Sequence, residues 1–142
     1  MALHLMKLCV GADSVETLEL RNDRRIAFSR EAGLGNIAEI TTRMFPRRHE
    51  DILDGGSLYW IVKGVMLIRQ RIISLEPRRG EDGVERCAII VDGELVPTQA
   101  QPRRAFQGWR YLSEADAPVD IKYRDRKTPS ALRAQLAELG LL

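Results

Sequence analysis

The chain has 142 residues, 44% hydrophobic and 30% charged, which suits one ordinary domain with its own core and excludes a disordered or fibrous protein. A formal net charge of +2 excludes strong global attraction to nucleic acid. No apolar run reaches the roughly 18 to 20 residues that a membrane span needs.

Residues 3–10 are apolar on both faces, as in a central strand. The run is short and has no basic region ahead of it, so it reads as a strand and not a signal peptide, and a cytoplasmic location is expected. After Gly11, Asp13 and Glu16 make a capping-box-like start, with Ser14 as a competing cap. A long helix is expected over 14–32, with Val15, Leu18, Ile26 and Ser29 inward and a polar middle at 21–25; Gly33 and Gly35 stop it.

Residues 37–45 read as the second strand, closed by Pro46. A short helix near 47–53 follows, ended by Asp54, Gly55 and Gly56. Residues 57–63 form the clearest strand, and Gly64 turns the chain into another over 65–75. The 77–83 stretch is dense in turn formers and reads as a surface loop. A strand over 86–91, a hairpin signal at Asp92-Gly93 and a strand over 94–98 come next, with a last strand over 106–111.

Residues 1–112 thus read as a single α+β core. Residues 113–142 read as an irregular connection and a C-terminal helix, capped by Thr128 with Pro129 in its first turn, that packs Leu132, Leu136 and Leu139 on the same domain. Runs of consecutive strands point to a small mixed, mainly antiparallel sheet or to a partly closed barrel that would remove its edges.

Of the 22 basic residues 18 are Arg, whose planar fork suits phosphates, carboxylates and base edges; a genome rich in GC would raise Arg as well. Position is more telling than number. Arg43, Arg47 and Arg48 around Pro46 are phosphate-contact candidates, with ion pairing to Glu50 and Asp51 as the competing role. Tyr59 and Trp60 must point to opposite faces of one strand, whereas Trp109 and Tyr111 share a face with Arg110 opposite. Arg69 and Arg71 share a face with Leu67 and Ile73, and Gln70, facing the other way, needs partners if buried. An aromatic beside a cation can stack and hold an unpaired base.

The reading is a cleft of Arg43, Arg47, Arg48, Tyr59, Lys63, Arg69, Arg71, Trp109 and Arg110 that binds RNA or a nucleotide-like anion. A small hydrolase built on Thr42, Lys63, His49 or Glu76 is one alternative, and a non-catalytic interaction subunit is another. Gly55-Gly56 lacks the length and the Lys-Ser/Thr ending of a P-loop and reads as a helix stop and turn. Cys9 and Cys87 read as buried free thiols; with His4 and His49 the only histidines, no metal-ligand spacing arises, and neither metal nor cofactor is expected.

The segments 3–11, 42–48, 54–64, 69–71 and 106–112, above all Gly-Gly-Ser-Leu-Tyr-Trp at 55–60, resemble the bacterial domain-of-unknown-function family 1489. That resemblance implies no activity and no catalytic residues. More weakly, the order of elements is similar to that of the PUA-like small barrels, which often bind RNA or modified bases; the likeness implies a fold and not a function.

Overall fold

The computed structural model describes residues 2–121. The elements run β1 (Leu3–Leu8), α1 (Val15–Glu31), β2 (Ile37–Thr42), α2 (His49–Leu53), β3 (Ser57–Val62), β4 (Val65–Arg79), β5 (Glu85–Asp92), β6 (Val96–Pro102) and β7 (Trp109–Ser113). Seven strands form one mixed sheet in the order β2-β5-β4-β3-β1-β7, with β6 also on β4. Among the described strands, only the β1–β3 pair is parallel. This is the α+β, mainly antiparallel arrangement that the run of strands implies.

The partly closed barrel is not what forms. The strand path ends at β2 and β7, which do not pair with each other, so the sheet is open. Side chains, not a backbone ladder, tie the loop after β2 to β7: Trp109 Nε1 donates to the Met44 carbonyl at 2.7 Å, and the Arg48 N–H donates to the Tyr111 hydroxyl at 3.2 Å. The expected C-terminal helix, with Leu132, Leu136 and Leu139, lies outside the described residues.

Ser14 wins the competition to cap α1, accepting a hydrogen bond from the Thr17 N–H at 3.4 Å. Gly33, at φ +77°, lets the chain close the helix with Gly33 N–H to Arg30 O and Leu34 N–H to Ser29 O, the paired bonds of a Schellman motif. The buried side of α1 is Val15, Leu18, Asn22 and Ser29, with Ile26 partly buried against the core. Asn22 is the unexpected member, and its partners explain it. Its Nδ2 donates to Gly93 O at 2.8 Å, its Oδ1 accepts from Gln70 Nε2 at 2.8 Å, and Gln70 Oε1 accepts from Trp60 Nε1 at 2.8 Å. Gln70 Nε2 also reaches Asp92 O at 2.9 Å. Gln70 is fully buried, and this network meets the partner requirement that its sequence position raised.

Alternation on β3 sends Trp60 into the main core, with Leu5, Leu18, Ile52 and Leu58. Tyr59 joins a smaller cluster with Ile61, Met66 and Leu112 on the other face. The double glycine is architectural: Gly55 takes φ +91°, and a Cβ on Gly56 would collide with the Leu3 and Ile52 carbonyl oxygens. Lys63 (φ +50°) and Gly64 (φ +78°) occupy the two-residue β3–β4 turn, the positive-φ pair that a right-twisted hairpin prefers.

Several boundaries differ from the sequence expectations. The second strand stops at Thr42, α2 begins at His49, β4 continues through Pro77 to Arg79, β6 is displaced to Val96–Pro102, and the final strand to Trp109–Ser113. The Asp92-Gly93 hairpin is the larger correction, because β5 and β6 do not pair. β4 is long enough to hold both on one edge, β6 along Val65 to Arg69 and β5 along Ile72 to Arg79. No described helix is long and apolar enough to cross a membrane.

Candidate functional site

The pleat of the sheet divides the expected Arg/aromatic set. Trp109 and Tyr111 do share a face, with ring centroids 4.9 Å apart at 68°, but they serve to hold the 44–48 loop through the two bonds given above. Arg48 lies 6.0 Å over the Tyr111 ring and pairs its Nε with Asp51 at 3.1 Å. Arg43 and Arg47 are exposed in that loop, Arg71 is exposed on β4, and Lys63 is exposed at its turn. Arg110 projects from the opposite face, 4.8 Å over Phe106. Tyr59 and Arg69 are the two members that meet in one cleft.

That cleft, about 350 Å³, is lined by His4, Ser57, Tyr59, Arg69, Glu114 and Asp120 among others. His4 Nδ1 accepts the Ser57 backbone N–H at 2.9 Å, which leaves the proton on Nε2, 2.6 Å from Glu114 Oε2. The Ser57 hydroxyl is therefore not activated by the ring; it accepts from Arg69 Nη1 at 3.1 Å. Arg69 turns Nε and Nη2 to the two oxygens of Asp120, both at 2.7 Å. That bidentate bond holds the guanidinium pKa up, while burial pushes the Tyr59 phenol up. With two carboxylates facing one cation already engaged, this cleft has no positive surplus for a polyanion among the described residues. Nor do the hydrolase candidates gather here: Thr42 donates to Met44 O at 3.3 Å, His49 opens α2, Glu76 is exposed on β4, and none lines this cleft.

A second cavity, about 170 Å³, opens where the end of β1 meets α1, β2 and β3. Lys7, Arg21 and Arg25 converge on it beside Cys9, Thr41 and Trp60. Lys7 arrives there because it continues the inward face of Leu3 and Leu5, and Arg21 and Arg25 because residues four apart share a helix face. Arg21 Nη1 is held by Val10 O at 2.6 Å and approaches Cys9 Sγ at 3.6 Å. The Arg25 guanidinium lies 5.6 Å over the Trp60 ring.

The electrostatics are one-sided. Burial, then the proximity of Arg25, lowers the pKa of Lys7; burial, then Arg21, lowers that of Arg25, and a thiolate at Cys9 would act against both shifts. Among the described residues, Glu39 is the one carboxylate lining the cavity, and its Oε1 is taken by Arg78 Nη2 at 2.8 Å. Among the described residues, no carboxylate pairs with Lys7, Arg21 or Arg25. Arg25 Nη1 is buried and, among those residues, has no hydrogen-bond partner. Three cations held close together with a buried donor unmet are costly to the fold. A bound anion would offset that cost.

Lys7, Arg21 and Arg25 were not among the residues that sequence reasoning selected. The available signals were the charge at an inward strand position and the four-residue helical spacing, but neither reveals that the two elements meet.

The model of the family described as "Protein of unknown function (DUF1489)" matches residues 5–142. The chain belongs to that family. In comparisons with curated proteins and with solved structures, nothing matches significantly. Membership of DUF1489 thus fixes kinship without an activity, and the chemistry must be argued from the residues.

Proposed function

We propose that this DUF1489 member is a cytoplasmic binding protein for an anionic ligand of the phosphate or carboxylate type, held by Lys7, Arg21 and Arg25 at the end of β1. The supporting observation is the convergence of Lys7, Arg21 and Arg25 on one cavity, with a buried Arg25 Nη1 that has no partner among the described residues. This keeps the expected ligand class, RNA or a nucleotide-like anion, and moves it from the Arg43–Trp109 surface to residues with no carboxylate partner among the described residues. In the first cleft, Arg69 already has its anion in Asp120.

Isothermal titration of the full chain with sulfate and with inorganic phosphate, against chloride at matched ionic strength, tests the reading. Saturable one-to-one binding that weakens as salt rises is expected. Identical behaviour of sulfate, phosphate and chloride, with no saturable heat, would remove the site.

A further inference from the structure

The cationic cavity does not stand alone. A second hollow of about 290 Å³ adjoins it, lined by Arg24, Arg25, Phe28, Ser29 and Glu39, so Arg25 and Glu39 line both. Phe28 is 75% exposed. It lies on the same helix as Arg21 and Arg25, which brings the cationic cavity and the exposed ring to one side of α1. An isolated exposed aromatic needs no explanation. One that shares a hollow with an arginine of an anion pocket has a use, because a ring face beside a phosphate site can stack a base. Glu39 is the residue that gives the pair a direction. A carboxylate opposes an anion placed against it, yet it accepts hydrogen bonds from the hydroxyls of a ribose, as acidic residues do in dinucleotide sites. Its place between the cavities is where a sugar would lie if the phosphate entered the first and the base the second. Together the two hollows reach the lower end of the range for ligand sites, about 300 to 1,000 Å³.

We infer that the ligand is a phosphorylated ribonucleoside, its phosphate among Lys7, Arg21 and Arg25, its ribose hydroxyls on Glu39 and its base on Phe28. This rests on the anion-binding reading and adds to it a sugar contact and a stacking surface. The same chemistry is offered by a free nucleotide and by the 5′-phosphorylated end of an RNA.

The test is titration of the full chain with inorganic phosphate, ribose 5-phosphate, AMP, 2′,3′-dideoxy-AMP and a short oligoribonucleotide with or without a 5′-phosphate. AMP should bind at least about fivefold more tightly than ribose 5-phosphate, the lower end of what base–aromatic stacking supplies. Phe28→Ala should erase that advantage and leave ribose 5-phosphate unchanged; the exposure of Phe28 makes unfolding a minor concern, and a thermal melt checks it. Glu39→Gln should reduce the preference of AMP over its dideoxy form. Binding of the 5′-phosphorylated RNA, but not its 5′-hydroxyl counterpart, would assign the ligand to an RNA end. Binding of AMP alone would assign it to a free nucleotide, and either result supports the inference. Equal affinity for AMP and ribose 5-phosphate, or an equal loss of both in Phe28→Ala, would overturn the stacking surface and leave the anion site standing. If neither phosphate nor ribose 5-phosphate binds, both readings fall.

Discussion

Replacing Arg25 with Met separates the two roles a buried guanidinium can have. In the free protein the substitution removes the contact with Trp60 at 5.6 Å, worth about 0.5–1 kcal/mol at exposed sites and about 2 when desolvated. It also removes a half-buried cation that has Arg21 and Lys7 as like-charged neighbours and an unmet donor at Nη1, while the Met chain keeps apolar contact with the ring. These terms oppose one another, so stability should change by no more than about 1 kcal/mol. Anion affinity has no such compensation. A lost hydrogen bond to a charged group is worth about 1.5–3 kcal/mol, or roughly 10- to 150-fold at about 1.36 kcal/mol per decade. Urea denaturation with an unchanged m-value and titration with phosphate measure the two quantities side by side. Unaltered affinity in a folded Arg25→Met protein would refute the site, and destabilisation above about 2 kcal/mol with full binding would make Arg25 a purely structural residue.

Two further outcomes test the electrostatics and the core. The pKa of Lys7 is lowered from 10.5, and an anion favours the protonated amine, so affinity is complete below that pKa and is lost as pH rises through it. Sulfate, which does not titrate in this range, should therefore lose affinity at lower alkaline pH than an ordinary lysine would dictate, and Lys7→Met should flatten that profile; a wild-type profile that Lys7→Met leaves unchanged would contradict the assignment. The same shift makes protonated Lys7 a cost to the fold, one that is relieved as pH rises from its folded pKa toward its higher unfolded one. Gln70→Leu strips Trp60 Nε1, Asn22 Oδ1 and Asp92 O of a buried partner and should cost about 2–5 kcal/mol of unfolding free energy, a large part of the usual total of about 5–15. A loss under about 1 kcal/mol would mean that the network is dispensable.

Much of the secondary structure was legible because its signals are local. Ser14 ahead of Val15 and Leu18, Gly33 past the end of α1, and the aromatic and β-branched run of β3 between Gly56 and Gly64 all act through a few neighbouring residues. Asp92-Gly93 carried an equally local signal and misled, since a turn does not compel the strands beside it to pair. Here the length of β4 decided the partners, offering one stretch of edge to β5 and another to β6. The binding reading met the same obstacle. Arg43, Arg47, Arg48 and Trp109 drew notice as clustered basic and aromatic residues, yet their hydrogen bonds and exposure belong to a loop strapped on β7.

By itself the sequence determined the family, the α+β class, the run of short strands and the opposite directions of Tyr59 and Trp60, because spacing and turn chemistry operate along the chain. The tertiary structure alone decided that the sheet stays open, that Arg69 is engaged by Asp120, and that Lys7 of β1 meets Arg21 and Arg25 of α1 beside Trp60. Whether a cation is neutralised or left to attract a ligand depends on charges brought near it through space. Those neighbours come from distant positions in the chain, where no local pattern records them.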